Sequence, residues 1–284
     1  MRCLALALGL IGLAGEALAA DLPNFPPIMR EPLAYVPAFP TYFPWQGFYA
    51  GGQLSDGVVN ANFTSTTQPL IAQALRNSVF EEEFHPSQIT VLGPTDAGSA
   101  GFGGFVGYNA QFENTIIGVE LNYTRTNFNA ISPDNPIGRI TPVLSSGKAD
   151  DFVLFGSGSM HITDIGVLRA RAGYVVDTFV PYITFGLAAA RADLAVSVSC
   201  NPCQEGVPNN SPPPVLTNPV DISFTQSEGK NQAYLFGWAA GGGLDVALTR
   251  NLFGRAEYEY IQFSPVFQIT SHIHMGRVGL GLKF

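Results

Sequence analysis

Apolar and polar residues alternate along most of this chain. In Thr115–Asn127, Ile117, Val119, Leu121 and Tyr123 are separated by Gly118, Glu120, Asn122 and Thr124. A period of two gives a strand one apolar face and one polar or small face. The same pattern recurs in Ala100–Phe112, with Phe102, Val106, Tyr108 and Phe112 on one side, and in Ile162–Tyr174, where Leu168, Ala170 and Ala172 oppose Val167, Arg169, Arg171 and Gly173. Further strands are predicted at about Gly47–Gly57, Val180–Arg191, Gln232–Leu248, Leu252–Phe263 and His272–Phe284. That makes eight. A stave of about 10 residues tilted ~45° rises ~23 Å, close to the ~25 Å apolar band of a transmembrane β-barrel.

The connections alternate in length. Those after the second, fourth, sixth and seventh strands are short, whereas 58–99, 128–161 and 192–231 read as long loops, although apolar Phe152–Phe155 could extend the fourth strand above the membrane. Tight turns on one side and long loops on the other predict an all-β, eight-stranded, antiparallel up-and-down barrel with long extracellular loops and both termini in the periplasm. Within the first long loop, Leu70, Ile71, Ala74 and Leu75 recur at helical spacing ahead of Glu81-Glu82-Glu83, which suggests a solvated loop helix or a cap on the barrel mouth.

The amino terminus adds a targeting segment. Arg2, the apolar stretch Cys3–Leu13 and the small-x-small site Ala17-Leu18-Ala19 predict a signal peptide over 1–19. The apolar run is too short to cross ~30 Å of hydrocarbon as a helix. Residues 20–46 carry Pro23, Pro26, Pro27, Pro32, Pro37, Pro40 and Pro44. That density denies ladder hydrogen bonds and predicts an extended periplasmic arm before a barrel over 47–284.

Composition narrows the class. Charged residues make up only 13% of the chain, and Gly 31, Phe 21 and Tyr 10 supply what a smooth apolar belt with aromatic girdles needs. The leader carries one cation and one acid, Arg2 and Glu16, so the mature net charge stays at −8. Such a chain is a poor nucleic-acid binder and no candidate for disorder.

Placing the polar faces is an energetic choice. An Arg turned to lipid at the midplane costs ~2–4 kcal/mol, so charges go inward and aliphatics outward. Glu120, Arg169, Arg171, Asp245, Arg255, Glu257, Glu259 and Arg277 then form a polar network in the lumen, joined by Gln53, Asn109 and Gln111. Eight strands leave an interior that side chains just fill. The network is expected to be a structural plug, with a narrow conduit as the alternative. Either Phe48 or Tyr49 must point inward or lie in a girdle. A soluble barrel with an apolar cavity would invert the two faces, and alternation alone does not separate it from a membrane barrel.

A family resemblance separates them. Trp45-Gln46-Gly47-Phe48-Tyr49-Ala50-Gly51-Gly52 resembles the opening of the small alphaproteobacterial outer-membrane β-barrels, an eight-stranded, OmpA-like, surface-antigen and porin-like family with haemin-binding members. Gly103-Gly104-Phe105-Val106-Gly107-Tyr108-Asn109, Leu168-Arg169-Ala170-Arg171-Ala172-Gly173-Tyr174 and Arg255-Ala256-Glu257-Tyr258 resemble its second, fourth and seventh strands. The resemblance implies the cell outer membrane, lipid and lipopolysaccharide as surroundings, and a barrel assembly machinery that reads Phe284 as a C-terminal signal. It also implies a peptidoglycan link at Ala20, because some such barrels attach through an Ala-Asp start.

Other chemistry is sparse. Cys200 and Cys203 read as a small loop disulfide, with a redox motif or half a zinc site as the lesser alternatives. His272 and His274 share one strand face and are weak metal or haem candidates, since no third ligand is identifiable. No cofactor and no enzymatic constellation is expected. The predicted role is structural or porin-like in the envelope, with a surface binding module for haem, adhesion or host contact as the alternative.

Overall fold

The computed structural model describes residues 44–209 and 215–284. The signal peptide, Ala20 and nearly all of the proline-rich arm lie outside the described residues. Ten strands run in chain order: β1 Gly47–Asn62, β2 Pro94–Phe112, β3 Thr115–Ser132, β4 Ile137–Ile140, β5 Ala149–Tyr174, β6 Phe179–Pro208, β7 Leu216–Asp221, β8 Phe224–Ala247, β9 Leu252–Phe263 and β10 Thr270–Lys283. Eight of them close a ring in the order β1-β2-β3-β5-β6-β8-β9-β10, and every pairing is antiparallel. Closure matters in hydrocarbon, where an unpaired edge leaves backbone groups with no partner. The short strands β4 and β7 sit outside the ring, on the far ends of β5 and β6.

The membrane band follows the predicted parity. Ile117, Val119, Leu121 and Tyr123 of β3 face out and are exposed, while Glu120 and Asn122 are buried. Leu168 of β5, Ile183, Phe185 and Leu187 of β6, and Val278, Leu280 and Leu282 of β10 also face out. At the start of β1, Phe48 points outward and Tyr49 inward.

Three expectations are corrected above the band. Of the stretches read as long loops, 128–161 and 192–231 are largely strand: β5 begins at Ala149, β6 continues to Pro208 and β8 starts at Phe224. Beyond Arg191, β6 adds roughly 55 Å of strand at ~3.3 Å per residue. The interior is also not polar throughout. In the outer half Val59, Ala61, Phe63, Phe128, Ala130, Met160, Ile162, Val196, Val198, Ile261, Phe263, Ile273 and Met275 point in and form one apolar core. Most outward positions there are polar, among them Asn60, Asn127, Asn129, Ser157, Ser159, Ser197 and Ser199, with Ile131 and Phe155 as exposed apolar exceptions. The reason is the change of outside solvent. Against hydrocarbon the outer face must be apolar, whereas in water the hydrophobic effect moves apolar side chains inward.

The helical segment is not solvated either. It forms α1, Gln68–Ala74, and α2, Val79–Phe84, the latter capped by Ser78 Oγ, which accepts the Glu81 amide at 3.1 Å. Leu70, Ile71, Leu75 and Phe80 are buried in the outer core beside Phe63, Leu92 and Phe152. The Phe80 and Phe84 rings meet the Phe152 ring at an angle, with centroids 5.1 and 5.7 Å away. Too much apolar area is at stake for the helices to remain in water.

Near the far end of the extension, Asp150 is buried at the start of β5. Burial pushes its carboxyl up to about 6, with neighbouring Glu205 adding to the shift and Lys148 opposing it. A carboxyl that is harder to ionise when folded than when unfolded imposes no penalty below pH ~4. The penalty grows as pH rises towards 6 and is full above it. Asp150→Asn is therefore expected to raise the thermal stability of the extension at pH 7.5 and to leave it unchanged near pH 3.5, read by circular dichroism.

The face reversal gives a second prediction. Val119→Arg, outward within the band, is expected to cost ~2–4 kcal/mol of folding free energy in lipid vesicles. Asn129→Arg, on the same strand face above the band, is expected to stay within ~0.5 kcal/mol of the parent in the same urea titration.

Candidate functional site

Inward residues of five strands meet in the lower half of the lumen. β3 contributes Glu120, β5 Arg169 and Arg171, β8 Asp245, β9 Arg255, Glu257 and Glu259, and β10 Arg277. Register brings several of them side by side: Glu120 lies opposite Arg169, Asp245 opposite Arg255, and Glu257 opposite Arg277. Strict alternation then aims every one of these side chains at the axis.

The result is one layer of four guanidinium groups and four carboxylates. Arg169 contacts Glu120 at 2.5 Å, Glu257 at 2.6 Å and Glu259 at 2.7 Å. Arg255 joins Glu120 at 2.7 Å to Asp245 at 2.8 Å. Arg171 reaches Asp245 at 2.5 Å, and Arg277 reaches Glu259 at 2.6 Å and Glu257 at 3.1 Å. β9 is adjacent to neither β3 nor β5, so the Arg255–Glu120 and Arg169–Glu257 pairs strap opposite walls together. Each of the eight side chains is 0–1% exposed. At that burial a charge persists only when paired, and the layer is neutral overall.

Aromatic residues complete the layer, and of these the sequence anticipates only Tyr49, as one of two alternatives. Tyr49 donates its hydroxyl to Glu120 at 2.7 Å, and Tyr182 donates to Glu257 at 2.8 Å. The Arg171 guanidinium lies 3.8 Å from the Tyr182 ring centroid, and that of Arg255 lies 4.2 Å from Phe105. Arg171 Nε and Nη1 lack hydrogen-bond partners, so its planar face meets the ring while Nη2 takes Asp245. Room for these rings comes from glycine on the neighbouring strand. A Cβ at Gly107 would meet the Tyr49 hydroxyl at 2.4 Å, and one at Gly281 would meet the Phe253 ring at 2.2 Å. The missed residues share the parity of the polar ones: Phe253 lies two positions before Arg255, and Phe105 four before Asn109. Parity was therefore the available signal. Gln53 in turn donates to Asn122 at 2.8 Å.

Apolar matter bounds the layer on both sides. Trp45, Tyr49, Phe105, Ile116, Val175, Val180 and Phe253 cluster at the periplasmic end. The outer core with its two helices covers the opposite end.

The other candidate residues lie apart from this layer. Phe284 closes β10, exposed on the outer wall, with its amide donating to the Phe48 carbonyl at 2.9 Å. Its neighbour Lys283 donates to the Pro44 carbonyl. Cys200 and Cys203 are buried at the outer end of β6 and disulfide-bonded, with Cα atoms 5.4 Å apart. His272 and His274 are half-buried on the outward face of β10, their rings 5.4 Å apart, and Tyr258 Oη lies 2.6 Å from His274 Nδ1. With Tyr260 and Trp238 they form an aromatic ribbon at the outer edge of the band. Among the described residues no group of three His, Cys, Asp or Glu is placed to hold a metal.

Residues 33–284 match the family model described as "outer membrane protein beta-barrel domain". The chain belongs to this family. As a family member it is an outer-membrane protein, and its charge layer is a family barrel's lumen. It is similar to the 25 kDa outer-membrane immunogenic protein of Brucella ovis, 34% identical over 119 residues, 42% of this chain and 42% of that protein. The counterpart in Brucella melitensis is 33% identical over 127 residues, 42% of this chain and 46% of that protein. The matched segment thus spans less than half the length of these curated relatives. Among solved structures, Neisserial surface protein A aligns with a TM-score of 0.36 and 14% identity, covering 84% of this chain and 97% of that one.

Removing one arginine tests the pairing. Arg169→Met leaves Glu120, Glu257 and Glu259 short of a partner and is expected to cost about 3–5 kcal/mol, read as a lower urea midpoint in vesicles. Arg76→Met, on the exposed side of the helical segment, is expected to change stability by less than ~0.5 kcal/mol.

Proposed function

We propose that this barrel is a closed structural element of the outer membrane which anchors a tall sheet at the cell surface and passes no solute. One observation carries the reading: the charge layer is sandwiched between the aromatic cluster at the periplasmic end and the apolar core at the outer end. A porin-like role needs a continuous aqueous path. Here each guanidinium is committed to carboxylates and the space above and below is filled by side chains, in keeping with the small interior of an eight-stranded ring. In the same reading Phe284 presents the assembly signal. Ala20 ties the arm to peptidoglycan, and a muropeptide on Ala20 in digested cell wall is the result that would bear this out.

A second reading adds surface contact. β4 and β7 are sheet edges standing outside the ring, and Ile140, Val143, Val207 and Val220 are exposed around them. Open edges and exposed aliphatics invite a partner strand. The Brucella relatives are named as immunogenic, which fits a sheet that is met from outside the cell.

Purified full-length protein in planar bilayers is expected to give no conductance steps at neutral pH. Regular unitary steps from the parent chain would overturn the sealed-lumen reading. Replacing residues 137–148 with a short turn is expected to leave membrane insertion intact. Loss of host-cell or antibody contact in that variant supports the surface reading, and unchanged contact counts against it.

A further inference from the structure

On every ring strand the outward apolar run ends at a first polar residue: Asp56, Asp96, Arg125, Asp164, Arg191, Gln232, Gln262 and His274. Together they mark the height at which hydrocarbon gives way to headgroups. Arg125, Asp164 and Arg191 are consecutive around the wall. β3 and β5 pair Arg125 with Asp164, and β5 and β6 pair Asp164 with Arg191. Two strand spacings of ~4.8 Å put the two arginine positions ~10 Å apart.

Both arginines are exposed, and among the described residues neither has a carboxylate oxygen within 4.0 Å. Asp164, between them, attracts both guanidinium groups from beyond that distance, and Arg125 also bonds the Tyr123 hydroxyl. One carboxylate shared by two arginines leaves the group with a net positive charge. Asp164 accepts the Tyr123 hydroxyl at 2.6 Å and the Thr163 hydroxyl at 2.8 Å. Asp193, above Arg191, accepts the Gln232 amide at 2.7 Å and lies 3.9 Å from His161. The contrast with the lumen is sharp, because every arginine there contacts at least one carboxylate at 3.1 Å or less. Two outward positions below Arg125, Asp164 and Arg191 are Leu121, Leu168 and Leu187, respectively, all exposed, while Tyr123 lies one outward position below Arg125 and Tyr234 of β8 pairs with Arg191.

We infer that Arg125 and Arg191 form a seat for a phosphorylated glycolipid of the outer leaflet. Its phosphates meet the two guanidinium groups, its sugars lie against Tyr123 and Tyr234, and its acyl chains lie on the leucines below. A guanidinium matches phosphate with paired donors, and its charge acts most strongly at the edge of the hydrocarbon, where water is scarce. Tyrosine suits the same boundary, having an apolar ring and a wet hydroxyl. The inference rests on the reading that the extensions stand outside the cell.

The test is native mass spectrometry of the full chain, released from detergent after incubation with diphosphorylated lipid A, with the same lipid stripped of phosphate, or with phosphatidylglycerol. The parent is expected to keep the diphosphorylated form preferentially. Arg125→Ala and Arg191→Ala are each expected to weaken retention about tenfold, and the double Lys variant is expected to retain an intermediate amount. Equal retention of the phosphate-free lipid, preference for phosphatidylglycerol, or full retention by the double Ala variant would each overturn the seat. Arg125→Gln and Arg191→Gln repeat the measurement should an alanine variant fold poorly. Heat-modifiable gel migration is recorded in parallel. Its loss in the parent would count against the barrel itself, whereas its persistence with unchanged lipid retention counts only against the seat.

Discussion

Each stave of this barrel passes through two solvents, and that constraint organises everything else. A strand has only two faces, so a change of surroundings on one side forces a change on the other. While Ile117, Val119 and Leu121 look into acyl chains, the inner positions are released from being apolar and hold Glu120 and Asn122. Once Asn127 and Asn129 look into water, the inner positions become Phe128 and Ala130. The same reversal occurs on β1, β5 and β6. The lumen is therefore stratified because the outside is.

Stratification decides what the charge layer can be. Eight ionised side chains at full burial are tolerated because they neutralise one another and because the pairs form across the lumen as well as between neighbours. A layer wired across the axis resists ovalisation of the ring, and neighbouring glycines let Tyr49, Tyr182 and Phe253 lie flat within it. Were the same residues to line a channel, water would compete for each guanidinium and the pairs would loosen. The aromatic floor and the apolar roof keep that water away.

Much of this was legible in the residues. Alternation with charged residues on one parity identified the ring and all eight members of the lumen layer, since a misplaced arginine in hydrocarbon is too costly to ignore. Apart from Phe152–Phe155, whose apolar residues pointed to a longer fourth strand, the extensions were not legible for two reasons. Their alternation has the opposite sense, so Ser157, Ser159, Ser197 and Ser199 read as loop when only apolar-out strands are sought. Their period is also interrupted. The register shift at Ile162/Asp164 lets Ile162 and Ile165 both point inward, three residues apart, and a further shift lies between Ala192 and Leu194. A bulge of this kind breaks the pattern that a period-two search relies on. The buried helices were half visible: Leu70, Ile71 and Leu75 shared a face, but nothing local showed that the barrel mouth offered them Phe152 and Leu92.

The boundary where the faces reverse also separates two uses of arginine. Inside, Arg169 and Arg255 are saturated with carboxylates, so their charge is spent holding the ring together. Outside, Arg125 and Arg191 occupy the same strand architecture with the carboxylate between them already bonded to Tyr123 and Thr163. A residue type that costs so much near hydrocarbon is retained where it has a partner. For the inner set that partner belongs to the chain. For the outer set Asp164 is one carboxylate shared by two guanidinium groups, and phosphate on the outer leaflet has the charge and the position to complete their pairing.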